Sequence, residues 1–170
     1  IAFWTGDGAI TRAAIGGPEA AGLTLRGPSR WRGMATSGQG GRSLSPGIAD
    51  SVTVLADCAA LADVAATLIA GAVDCPQAAG IDRLPARDID PDSDLGTTLV
   101  TVGVPQLDPS QIATALAAGH DLAVQMMTGG RIAGAVLALQ GARGVGGLGE
   151  RTALLTSGQR AADRRRRGEE

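Results

Sequence analysis

The chain predicts an α+β fold, a mainly antiparallel sheet packed with two principal helices, and three observations carry that expectation. Runs at 50–56, 98–104 and 130–140 are apolar or alternating and rich in Val, Thr and Leu, as strands are. Two long segments, 58–73 and 108–127, repeat their apolar residues at helical spacing. The N-terminal third is broken by Gly, Asp and Pro into short pieces at hairpin spacing. A chain of 170 residues fits one domain, and at that length roughly 70% of the extended-chain surface can be buried. The domain is expected to span 1–145, with 146–170 a Gly/Arg-rich C-terminal tail that is disordered.

Composition limits what the protein does. Hydrophobic residues make up 44% and aromatics only 2%, so Ala, Val, Leu and Ile must build the core. The 15 basic residues, all arginine, stand against 17 acidic ones, and the net charge of -2 gives no reason to expect nucleic acid or an anionic membrane as partner. Cys58 and Cys75 flank one expected helix, which would hold them roughly 25 Å apart, too far for a disulfide. A reduced, cytoplasmic protein is expected. No Cys/His cluster suggests zinc, and no run approaches a membrane span of ~20 apolar residues.

In chain order, Ile1 to Trp4, Ala9 to Ile15 and Gly22 to Arg26 read as a small meander. Trp31, between Arg30 and Arg32, reads as a surface Trp at a strand start or as a stacking platform for a flavin or base. The loop from Thr36 to Ser43 follows, then a strand over 50–56. Asp57 is placed to cap a helix from about Cys58 to Val73, whose Leu61, Ala65, Leu68, Ile69 and Ala72 form the expected core stripe. Residues 75–96, with three prolines and several aspartates, are expected to be a long irregular connection. A strand at 98–104 precedes Asp108-Pro109-Ser110-Gln111, a capping-box helix start, and the helix runs to about Met127 with Gly119 as its weak point. An apolar strand over 130–140 closes the domain, and Arg164 to Arg167 read as a solvated terminus.

Asp63 and Thr67 are four residues apart, so on a helix they share a face, where a carboxylate and a hydroxyl suit a hard cation such as Mg²⁺. The same spacing fits a solvated aspartate with the threonine bonding back to the preceding turn. The loop Thr36-Ser37-Gly38-Gln39-Gly40-Gly41-Arg42-Ser43 offers hydroxyls, glycine-freed backbone N–H groups and one guanidinium, the parts of an anion site. A purely structural glycine turn has the same composition, and the loop is neither a Walker A nor a G-x-G-x-x-G motif. His120, the one histidine, reads as a surface or helix-packing residue. Asp88, Asp90, Asp92 and Asp94 read as a solvated acidic loop, because the Gly and distal Glu of a calcium loop are missing.

ATSGQGGRSLSPGIADSVTVLA, then ADVAATLIAGAVD, DIDPDSDLGTTLVTVGV and RIAGAVLALQG resemble the ApbE-like superfamily, in its branch of small proteins related to the FAD:protein FMN transferases, across roughly Ile1 to Gly141. The resemblance implies the ApbE-like fold and, if the chain is active, a Mg²⁺-dependent transferase that uses FAD and attaches FMN to a partner protein. It also implies that Asp63 and Thr67 are Mg²⁺ ligands, and that Thr36, Ser37 and Gly38, with Arg42 and Ser43, line the site of a flavin nucleotide, FAD or FMN. Two departures stand out. Leu44 occupies the place of a histidine in the branch's G-R-S-H-S loop, with the transferase's H-x-x-x-P-x-x-G segment reduced to Ser45-Pro46-Gly47. The family's N-terminal portion, ending in N-x-G-G-D before a strand like Ile1 to Trp4, is expected to be lacking. The alternatives to an enzyme are therefore a non-catalytic relative that binds a ligand or partner, and an incomplete chain without activity of its own. Exposed sheet edges would favour a homo-oligomer.

Overall fold

The computed structural model describes residues 2–4, 11–15, 21–25, 31–41, 44–147 and 152–155. In chain order the elements are β1 (Ala2–Trp4), β2 (Thr11–Ile15), β3 (Ala21–Leu25), β4 (Gly33–Ser37), β5 (Ser51–Ala56), α1 (Ala59–Ala72), β6 (Asp82–Pro85), α2 (Ala86–Ile89), β7 (Leu99–Gly103), α3 (Pro109–Thr128), β8 (Ile132–Leu139), β9 (Ala142–Gly146) and β10 (Thr152–Leu155). The fold is α+β. A five-stranded antiparallel sheet of order β1-β4-β5-β8-β9 carries the two long helices, and smaller sheets pair β10-β3-β2 and β6-β7.

β5 is the central strand, and all six of its residues are buried. Its register with β4 sets Ala35 beside Val54 and Thr36 beside Thr53. Because side chains alternate along a strand, Ala35, Val52, Val54 and Ala56 face the helices. There they join Ala62, Ala66, Ile69 and Ala70 of α1, Ala115 and Ala123 of α3, and Leu137 of β8 in one core. Thr36 and Thr53 turn to the opposite face, where their hydroxyls bond at 2.7 Å.

The helix phase differs from expectation. Ala62, Ala65, Ala66, Ile69 and Ala70 are the buried residues of α1, while Leu68 is 52% exposed. Close approach is the reason: a Cβ on Gly33 of β4 would collide with the backbone of Cys58 and Ala59, and one on Gly119 of α3 would meet Val73 and lie 2.8 Å from Leu137 Cδ2. A helix pressed this near its neighbours accepts alanine on the contact face and turns leucine outward. Gly119, expected to be the weak point of its helix, is thus the crossing point of α1 and α3. The cap of α1 is Cys58, which makes no side-chain cap bond, so Asp57 lies one residue outside the expected cap position. α3 starts as expected, with Asp108 N–H donating to Gln111 Oε1 at 2.9 Å in a capping box.

Residues 75–96 hold more structure than expected. β6 pairs antiparallel with β7, and the single turn of α2 lies between them. The Asp74 carboxylate holds Arg83 by an ion pair of 2.6 Å at the base of this hairpin. β9 follows β8 through Gln140 and Gly141, both at positive φ. Thr152–Leu155, within the stretch expected to be a disordered tail, is a strand paired with β3. Both cysteines are free, Cys58 exposed and Cys75 buried. Among the described residues no helix is long and apolar enough to cross a membrane.

Candidate functional site

β4 delivers Thr36 and Ser37 to the loop, and α1 lies along the same strand. The start of α1 is seated on Gly33 and its end on Gly47, whose Cβ position is filled by the carbonyls of Ala70, Gly71 and Val73. Ile48 N–H donates to Val73 O at 2.8 Å, so the loop leaves β4 and returns at the C-terminal end of α1. One helix and one loop therefore frame the site.

Gly38 begins the loop at φ +126, a conformation that L side chains rarely adopt, and a Cβ there would lie 2.8 Å from Asp50 O. The next three N–H groups are already committed. Gln39 N–H donates to Ala49 O at 2.8 Å, Gly40 N–H to Asp50 O at 3.0 Å and Gly41 N–H to Gly38 O at 3.0 Å. The expectation that glycine frees these groups for an anion is corrected by those bonds: the glycines let the chain turn on itself, and its amides serve the turn. Thr36 and Ser37, adjacent on a strand, point to opposite faces. Thr36 bonds Thr53 on the face away from the helices, whereas Ser37 shares the register face of Val52. Arg42 and Ser43, expected to complete the nucleotide contacts, lie outside the described residues.

Asp63 and Thr67 do share a surface. Both are exposed, one helical turn apart, and neither has a hydrogen-bond or ion-pair partner among the described residues. Val64, 56% exposed, and Leu68 adjoin them. An unpaired carboxylate and a hydroxyl on one rigid face fit a hard cation that prefers oxygen. Mg²⁺ commonly takes one or two protein carboxylates and completes its shell with water and phosphate oxygens, and this pair matches that partial set. Among the described residues no group of three or more His, Cys, Asp or Glu could hold a metal by itself.

The other sequence candidates separate from this frame. His120 is half-buried, and a Cβ on Gly146 of β9 would lie 3.6 Å from its Nε2, which makes it a packing residue between α3 and β9. Asp88, Asp90, Asp92 and Asp94 are exposed, and Asp90 Oδ1 accepts the Asp92 N–H at 3.1 Å in a local turn.

Two residues that the sequence did not single out hold the loop. Gln39 Nε2 donates to Gly47 O at 3.0 Å, with a longer contact to Ser45 O at 3.5 Å. From the other side, Thr101 of β7 donates its N–H to Ser45 O at 2.8 Å and its hydroxyl to Pro46 O at 3.1 Å. A glutamine alone among glycines was the available signal for the first. Nothing in the sequence links Thr101 to a loop 55 residues earlier.

No curated protein and no solved structure matches the chain. One protein-family model does, over residues 1–148, nearly the whole of the described α+β domain. On that match the chain belongs to the ApbE-related family described as AbpE bacteria.

Proposed function

We propose that this ApbE-related protein binds a flavin nucleotide, FAD or FMN, together with Mg²⁺, at the frame made by α1 and the loop after β4. The observation that carries the reading is the pairing of Asp63 and Thr67 on one exposed face of α1, with no protein partner to satisfy either among the described residues. Mg²⁺ bound there would supply charge neutralisation for the pyrophosphate or phosphate. The chain's own part is to hold a carboxylate and a hydroxyl at fixed spacing on a helix whose two ends are packed against Gly33 and Gly47. Thr36, Ser37 and Gly38, with Arg42 and Ser43, are the groups proposed to contact the nucleotide, and an arginine suits a phosphate by its bidentate guanidinium. FMN transfer to a partner protein is the reaction class this assembly would serve in the cytoplasm.

A second reading, a relative that binds the nucleotide or a partner without catalysis, is favoured by Leu44. That half-buried side chain brings no proton donor or acceptor to the loop, and the amides of Gln39, Gly40 and Gly41 are occupied. Titration calorimetry with FAD and Mg²⁺ on the wild type and Asp63→Ala tests the shared binding step. Mg²⁺-dependent binding that Asp63→Ala removes supports the proposal, and unchanged affinity in Asp63→Ala, or no binding at all, refutes it. FMN release from bound FAD then separates transferase from binder.

A further inference from the structure

α1 turns a face of low polarity to solvent. Its exposed positions are Ala60, Asp63, Val64, Thr67 and Leu68, and Asp63 is the one charge in the helix. Val64 and Leu68, one helical turn apart, form a second stripe directly beside Asp63 and Thr67, and both are more than half exposed. Close packing against Gly33 and Gly47 keeps large side chains off the buried face, but it does not call for branched aliphatic ones on the outer face, where a polar residue would serve the helix as well. α3 makes the contrast: among its exposed residues Val124 alone is a large aliphatic, at 39%. Gly71 follows Thr67 and Leu68 by one turn and ends the patch without a side chain, and a Cβ there would lie 3.3 Å from Cγ of Pro46. Exposed Pro46 therefore bounds the patch at the C-terminal end of α1, and the Thr101 hydroxyl holds it by donating to Pro46 O at 3.1 Å. An oxygen stripe and an apolar stripe thus lie side by side on one rigid helix.

We propose that Val64, Leu68 and Pro46 seat the isoalloxazine ring of the flavin nucleotide, beside the oxygen pair that takes its phosphate end. The inference rests on the nucleotide-binding reading and names the residues that select the ligand at that site. Asp63 and Thr67 by themselves suit any phosphate that carries Mg²⁺. A ligand that uses the whole patch must bring a phosphate and a flat apolar surface on one molecule. The dimethylbenzene side of isoalloxazine has no polar atom to leave unpaired against aliphatic side chains. Adenine carries ring nitrogens and an amino group around its edge, and these need partners that Val64, Leu68 and Pro46 do not offer. Burial of the apolar strip favours binding without direction, and the oxygen stripe beside it sets which end of the ligand goes where.

Full-length Leu68→Gln, Val64→Thr and Leu68→Met are compared with wild type in the presence of Mg²⁺. FMN is titrated by its ring fluorescence and ADP by calorimetry, and thermal unfolding checks that each variant is folded. Leu68→Gln is expected to weaken FMN by about tenfold and Val64→Thr by about threefold. Leu68→Met keeps the apolar volume and should bind FMN as the wild type does. ADP affinity is expected to be the same in wild type and Leu68→Gln. FMN affinity unchanged in both Leu68→Gln and Val64→Thr overturns the inference and leaves the nucleotide reading standing. A loss for ADP equal to that for FMN would seat adenine on the strip and overturn it as well. A wild type that binds no FMN refutes the nucleotide reading and this inference together.

Discussion

The backbone N–H of Gln140 donates to Asp50 Oδ2 at 2.6 Å, joining the end of β8 to the residue before β5 across 90 positions of sequence. Gln140 sits at φ +44, the one non-glycine residue at positive φ among those described. Its side chain continues the tie: Nε2 donates to Pro105 O at 2.6 Å and Oε1 accepts Leu107 N–H at 2.9 Å. The strained turn is thus the knot between the central sheet and the segment that leads into α3.

Gln140→Gly would relieve the left-handed backbone by about 1 kcal/mol. It would also leave the N–H of buried Leu107 without its acceptor and Pro105 O without its donor, at about 1–3 kcal/mol for the buried group. The second effect is larger, so the substitution is expected to destabilise by about 1 kcal/mol or more. Urea unfolding measures it, and a midpoint above wild type would show that backbone strain outweighs the side-chain bonds.

Gly33→Ala and Gly119→Ala separate two kinds of tight contact. At Gly33 the added methyl would meet backbone atoms of Cys58 and Ala59, which move only if α1 moves. At Gly119 it would meet mainly the side chains of Val73 and Leu137, which can shift, and alanine is better in a helix by about 1 kcal/mol. Overpacking typically costs about 1–3 kcal/mol. Gly33→Ala is expected at or above the upper end and Gly119→Ala near the lower. Thermal unfolding of both variants checks the order, and equal losses would contradict it.

The helix phase gives a third prediction. Leu68→Gln changes an exposed side chain and should move stability by less than about 0.5 kcal/mol. Ile69→Ala removes a fully buried side chain one position on, and should cost about 2–5 kcal/mol. Denaturant midpoints of the pair test the burial pattern, and a large loss in Leu68→Gln would restore the stripe expected from sequence.

That stripe shows where sequence reading reached its limit. Strands β5, β7 and β8 and both long helices were legible, because alternation, helical spacing and the Asp108–Gln111 box are local signals. The phase of α1 was not, since periodicity ranks Leu above Ala while the choice between Leu68 and Ala66 depends on how near Gly33 and Gly119 bring the neighbouring elements. β9, Ala142–Gly146, is hard to see because its glycines read as turn and its pairing partner supplies the order. β6 was masked by Pro85 and its acidic surroundings. For the site, the spacing of Asp63 and Thr67 placed them on one surface, as the helix shows. The occupied amides of Gln39 and Gly40 were invisible, because their acceptors, Ala49 and Asp50, lie on the return limb.

Asp63 carries the last prediction, in which stability and binding must part. The residue is exposed and has no partner among the described residues, so its carboxylate stabilises nothing that Asp63→Ala would remove. Alanine is moreover the better helix former by about 0.5 kcal/mol. The variant should therefore unfold within about 0.5 kcal/mol of wild type or slightly above it. Thr67→Val, which keeps the shape and deletes the hydroxyl, should behave alike. If the two oxygens hold Mg²⁺ for a nucleotide, each variant should lose the Mg²⁺-dependent part of FAD affinity while keeping its fold. Circular dichroism and titration calorimetry on the same preparations read both quantities. A destabilised Asp63→Ala would reveal a structural contact of the carboxylate, whereas an unchanged Mg²⁺ dependence in both variants would remove α1 from the binding site.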